Sequence, residues 1–114
     1  MEKFLLRSGE QAYIHAACFE LGVKIDVVFN DDVSIIKSID GYNQPFELYV
    51  NQTDADMEIY GIVRDGGGTK LPPRENVHTV GMLSVGYDSY YPDGASPIGN
   101  SAKPPKATLT IVKK

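Results

Sequence analysis

The chain of 114 residues has no tryptophan, one cysteine and two histidines. The lone thiol, Cys18, can form no internal disulfide, so no covalent staple closes the fold. Small secreted domains commonly depend on such staples, and the cysteine count therefore points to a reducing, cytoplasmic setting. A basic surplus is also missing. Eleven Lys and Arg face fifteen Asp and Glu, a formal net charge of −4. With no excess of cations to release counterions from a phosphate backbone, generic nucleic-acid binding is not expected. Long apolar runs are absent as well. Phe4-Leu5-Leu6 falls short of the roughly 7–15 residues of a secretory signal and the about 20 of a membrane span, so no membrane partner is expected.

The scarcity of histidine and cysteine limits catalysis and metal binding. His15, His78 and Cys18 show no paired short spacing of the kind zinc takes, and no cofactor motif is present. An enzyme would have to bring His78 or His15 to a carboxylate in a pocket. Asp54, Asp56 and Glu58 share one side of an extended segment, but calcium wants roughly 6–8 oxygen ligands, so the run reads as a solvated strand entry with no metal. Gly66-Gly67-Gly68-Thr69-Lys70 has the flavour of a phosphate-cradling loop. It lacks the full spacing, and Leu71-Pro72-Pro73 stands where the helix should begin. A hairpin loop is the stronger reading there, and an anion nest beside Lys70 or Arg64 the weaker one. Asn51-Gln52-Thr53 matches the glycosylation pattern and reads as a chance match.

What the sequence does contain is alternation. Hydrophobic residues make up 42% and charged residues 23%, an ordinary globular composition for one domain spanning residues 1–114. Val23, Ile25, Val27 and Phe29 alternate with polar neighbours, as do Phe46, Leu48 and Val50, then Met57, Ile59 and Val63, and finally Leu109 and Ile111. Asn30-Asp31-Asp32, Asp40-Gly41 and Asp65-Gly66 are turn signals between these runs. Residues 9–21 are ambiguous. Ser8 and Gln11 have capping-box spacing, Ile14, Ala17, Cys18 and Leu21 recur at helical intervals, and Gly22 suits a helix C-terminus. On that reading His15 and Cys18 stand three apart and could approach each other, with Cys18 on the apolar face. The competing reading is a strand from Tyr13 to Glu20. The expected fold is mainly β, an antiparallel sandwich or barrel of six to eight short strands, with one N-terminal helix over 9–21 if the helical reading holds.

The segment from Gly86 to Lys106 stands apart. It holds Tyr87, Tyr90 and Tyr91 among prolines, glycines and carboxylates, and loops this long inside a small domain are usually functional. The expectation is a non-enzymatic binding domain for a small polar ligand, a carbohydrate or a nucleotide. Tyr87, Tyr90 and Tyr91 would stack on it, and Asp88, Asp93 and Asn100 would orient it. Arg64 and Arg74 would face an anionic ligand. The other readings are an acidic protein-binding inhibitor or assembly component, with Asp31, Asp32, Asp54, Asp56 and Glu58 as its negative face, and a small enzyme using His78 or His15. A homo-oligomer is compatible with each.

Overall fold

Period-two alternation puts every second side chain of a strand on one face of its sheet, and this chain uses it nearly throughout. The computed structural model describes residues 3–30, 34–42, 44–87 and 104–114, the side chains of 74–76 excepted. Ten strands follow in order: β1 (Phe4–Leu6), β2 (Gln11–Cys18), β3 (Lys24–Phe29), β4 (Ser34–Ile39), β5 (Glu47–Val50), β6 (Met57–Arg64), β7 (Lys70–Leu71), β8 (Pro73–Thr79), β9 (Met82–Tyr87) and β10 (Ala107–Lys113). They form two five-stranded antiparallel sheets. One has the order β1-β6-β3-β4, with β7 also on β6, and the other the order β5-β2-β10-β9-β8.

The expected β-sandwich is the fold of this chain, with two corrections. Among the described residues there are ten strands rather than six to eight, and no helix. The segment 9–21 is strand β2 and the turn after it. Ala12, Ile14, Ala16 and Cys18 point into the core at every second position, and β2 lies between β5 and β10, paired through Ile14↔Ile111 and Ile14↔Glu47. Leu21, which the helical stripe placed inward, is fully exposed. Pro73 opens the edge strand β8 beside a register irregularity, positions that tolerate a residue without an amide donor.

The core lies between the sheets. Ile14, Leu83, Leu109 and Ile111 from one sheet meet Leu6, Ile25, Val27, Met57, Ile59 and Val63 from the other, all essentially inaccessible. Each such burial contributes roughly 1.5–3 kcal/mol. Where edge strands β4 and β5 leave the sandwich open, Lys37 of the first meets Glu47 of the second at 3.2 Å. The turns gather at two ends. The upper rim carries turns 19–23 and 65–69 and segments 40–42 and 44–46, together with Tyr87 and Pro104, where the chain leaves and re-enters the described residues. The lower rim carries 7–10, 51–56 and 80–81 and the end of β10. Strands of six to eight residues separate the rims by about 20 Å.

Candidate functional site

Three backbone hydrogen bonds assemble the upper rim. Lys106 N donates to Tyr87 O at 2.8 Å, Phe19 N to Lys106 O at 2.8 Å, and Cys18 N to Gly41 O at 3.0 Å. The end of β9, the start of β10, the β2–β3 turn and the segment before β5 are thereby tied together. Lys106 also reaches Glu20 at 3.2 Å. Around these ties the rim exposes unusual bulk: Phe19 is 54% accessible, Tyr42 64% and Leu21 101%. An aromatic ring left in water costs apolar hydration, and this rim leaves two of them exposed.

Of the residues singled out in the sequence, Asp88, Tyr90, Tyr91, Asp93 and Asn100 lie outside the described residues. Tyr87 does not belong to a ligand surface. It is 3% exposed, its hydroxyl donates to Gly61 O at 3.3 Å, and burial pushes the phenol up to about 12. It points inward at the end of β9, in phase with Leu83 and Val85, so its ring packs in the core instead of stacking on a guest. Arg64 ends β6 at this rim and donates to Gly68 O at 3.3 Å. Arg74 follows Pro73, whose register partner is Tyr87, and so belongs to the same rim by position. Phe19 and Tyr42 escaped the sequence reading. Tyr42 had a usable signal, an aromatic ring directly after the Asp40-Gly41 turn.

The rival constellations are resolved by geometry. His15 and Cys18 do not approach as a nucleophile pair would. Three residues apart on a strand, they face opposite sides. His15 stacks on Phe46 outside the sheet, with centroids 4.8 Å apart. Cys18 is buried, donates to Ile39 O at 3.4 Å, and is raised to about 11 by desolvation. A thiol so placed stays protonated and unreactive near neutral pH. The Gly66–Gly68 loop is no anion nest. The Asp65 carboxylate accepts Gly67 N and Thr69 N, both at 2.9 Å, and Gly68 N donates to Asp65 O at 3.0 Å, so those amides are already engaged. Among the described residues no three His, Cys, Asp or Glu side chains converge as a metal would require.

His78 sits at the lower rim, toward the opposite end of β8 and β9 from Tyr87. It lines an open groove of about 600 Å³ with Phe4, Arg7, Glu10 and Lys113. Glu10 is the carboxylate of that groove. Its carboxyl is held below the usual carboxylate range, first by the Arg7 amide at 2.8 Å and then by Lys113 at 3.1 Å. An acid so engaged is ionised at neutral pH and committed to structural partners.

No protein-family model and no curated protein matches the sequence. Solved structures do match in fold. The C-terminal domain of BC2L-C lectin from Burkholderia cenocepacia superposes with a TM-score of 0.57 at 13% identity, over 96% of this chain and 92% of that one. A high-affinity mannose-binding lectin of Ralstonia solanacearum superposes with a TM-score of 0.53 at 12% identity, over 97% of this chain and 94% of that one. At such identity the likeness is one of fold, a β-sandwich shared along nearly the whole of each chain.

Proposed function

We propose that this chain is a non-enzymatic carbohydrate-binding domain whose sugar site lies at the upper rim. The observation that carries this reading is the exposed aromatic pair, Phe19 and Tyr42, beside the points where the chain departs at Tyr87 and returns at Pro104. A pyranose presents a flat array of C–H groups that packs on aromatic faces, and a ring of hydroxyls that needs acceptors and donors. The segment between those points supplies both chemistries in sequence, with Tyr90 and Tyr91 for packing and Asp88, Asp93 and Asn100 for the hydroxyls. The fold-level likeness to two lectins, one named for mannose, supports a sugar over a nucleotide. So does the engagement of the Gly67, Gly68 and Thr69 amides, which leaves fewer donors for a phosphate.

A thermal-shift screen against simple sugars and nucleotides tests this directly, because a ligand that binds only the folded state raises the melting temperature by mass action. Monosaccharides such as mannose are expected to stabilise the chain, nucleotides not. In Tyr90→Ala, Tyr91→Ala and Tyr42→Ala the sugar-dependent shift is expected to shrink at least threefold. Sugar shifts of full size in all three variants would remove the rim as the site. A response to nucleotides alone would replace the ligand class.

A further inference from the structure

β4 is an edge strand, hydrogen-bonded to β3 on one side alone. Its ladder is irregular within that pairing. Val27 stands opposite Lys37 and Val28 opposite Ile35, so Ile36 is an extra residue and the strand bends there. Directly paired residues share a sheet face, and Val27 is wholly buried, so Lys37 points between the sheets. Glu47 comes from the other sheet. It is the register partner of the core residue Ile14, so it too lies on an inner face, at the edge strand β5. The two charges meet across the mouth of the sandwich at 3.2 Å, the lysine side chain 14% exposed and the glutamate 56%. The ammonium nitrogen itself is sealed from solvent and forms no hydrogen bond among the described residues. It is held by charge alone. Removing the one anionic neighbour would leave a buried cation with neither water nor partner, which is strongly destabilising.

We propose that β4 and the segment after it, residues 34–42, form a flap latched by the Lys37–Glu47 pair, and that releasing the latch opens the flap while the rest of the sandwich stays folded. What the flap covers is defined by its bonds. Cys18 Sγ donates to Ile39 O at 3.4 Å, and Cys18 N donates to Gly41 O at 3.0 Å. The pairing of β5 with β2 stops at Ile14, so nearer the upper rim it is the end of the flap that bonds to β2. Opening of β4 therefore uncovers the thiol, whereas fraying of β5 releases neither of those bonds. The flap also ends in the exposed ring of Tyr42, so a pair in the middle of β4 governs the position of an aromatic group at the upper rim. The free energy of opening a segment follows the buried contacts it must break, and these are modest here. Ile36 and Ile39 pack on the core only partly buried, and Ile35 is exposed. The inference concerns a sheet edge and stands whether or not the rim takes a sugar.

Cys18, the one thiol of the chain, reports the state of the flap. Its reaction with a chromogenic aromatic disulfide, followed in native buffer and in low urea, is the test. The wild type is expected to react slowly, at a rate that urea changes little, because a local opening exposes little surface. Glu47→Gln leaves the ammonium without a counter-charge and is expected to react about tenfold faster or more, with a melting temperature within a few degrees of wild type. In Lys37→Met/Glu47→Gln the buried charge is gone, and the rate is expected to return to within about threefold of wild type. Glu20→Gln breaks the Lys106–Glu20 pair in the turn after Cys18 without touching β4, and is expected to leave the rate unchanged. Should Glu47→Gln fail to fold by circular dichroism, Glu47→Asp, which draws the carboxylate back by one methylene, serves instead with a smaller acceleration. A Glu47→Gln rate equal to that of the wild type overturns the proposal. So does an acceleration that Lys37→Met fails to reverse, an equal acceleration in Glu20→Gln, or a rate that climbs with urea as steeply as global unfolding does.

Discussion

Asn51 is the one fully buried polar side chain among the described residues, and it organises the lower rim. Its Nδ2 donates to Leu6 O at 3.0 Å and Ala55 O at 2.9 Å, while its Oδ1 accepts from Thr53 N at 3.0 Å and Thr53 Oγ1 at 2.6 Å. All four bonding positions of the amide are filled. Asn51→Ala removes the side-chain donor to Leu6 O and the acceptor of Thr53 N, while Ala55 O keeps the Thr53 hydroxyl at 2.9 Å, and chemical denaturation is expected to show a loss of about 2–4 kcal/mol. The same bonds explain why Asn51-Gln52-Thr53, a glycosylation pattern by spelling, offers no acceptor nitrogen in the folded chain. A second residue-scale test concerns Gly61. A Cβ there would stand 2.7 Å from the Tyr87 hydroxyl and 3.1 Å from Leu109 Cδ2. Gly61→Ala is expected to cost about 1–3 kcal/mol through overpacking, and Tyr87→Phe about 1 kcal/mol through the lost hydrogen bond. The double variant is expected to lose less than the sum, because removal of the hydroxyl removes the tightest clash. Tyr87 also sets an alkaline limit. Its native phenol titrates near 12 instead of 10.0, so between those values the unfolded state releases a proton that the native state keeps. Stability therefore falls as pH rises through that window. Tyr87→Phe should flatten the decline in urea midpoints measured across it.

At the scale of elements, Gly22 shows both what a sequence discloses and where it stops. Its φ of 87° is the left-handed conformation that glycine was expected to supply. Helix ends and hairpin turns both ask for that conformation, so the residue announces a chain reversal without naming the element before it. Here it closes the β2–β3 turn, with Val23 N donating to Glu20 O at 3.2 Å. Gly22→Ala is expected to cost about 1 kcal/mol or more in thermal denaturation, since the backbone must hold a strained φ within 3.4 Å of the Gly66 Cα. The strand before it was hard to read because its inward side chains are Ala12, Ile14, Ala16 and Cys18. Small residues leave a weak period-two signal, and the buried outward Ala17 adds a false helical interval. Strands with bulky alternation, such as Met57–Arg64 and Ala107–Lys113, were legible because their inward β-branched and long chains contrast with polar neighbours. The candidate site was legible only in part. Tyr87 looked like the first ring of a binding segment because composition counts an aromatic ring without revealing its phase on the strand. Phe19 and Tyr42 went unread because their exposure is set by turns that meet only in the folded chain.

For the whole molecule, the sandwich separates its two outer sheet faces from the rims, and the upper rim, which exposes Phe19 and Tyr42, is proposed to receive a sugar. A rigid double sheet suits this division, because it holds the rim turns in fixed relation while leaving their sequences free to vary. The central claim is that the rim binds carbohydrate through its tyrosines. Isothermal titration of the wild-type chain and the Tyr42→Ala/Tyr91→Ala double variant with mannose and a small set of other monosaccharides measures it most directly. Saturable heat with at least one sugar in the wild type, weakened tenfold or more in the variant while its melting temperature without sugar stays within a few degrees, is the expected result. Absence of heat with every sugar, or equal affinity in the two proteins, would contradict it.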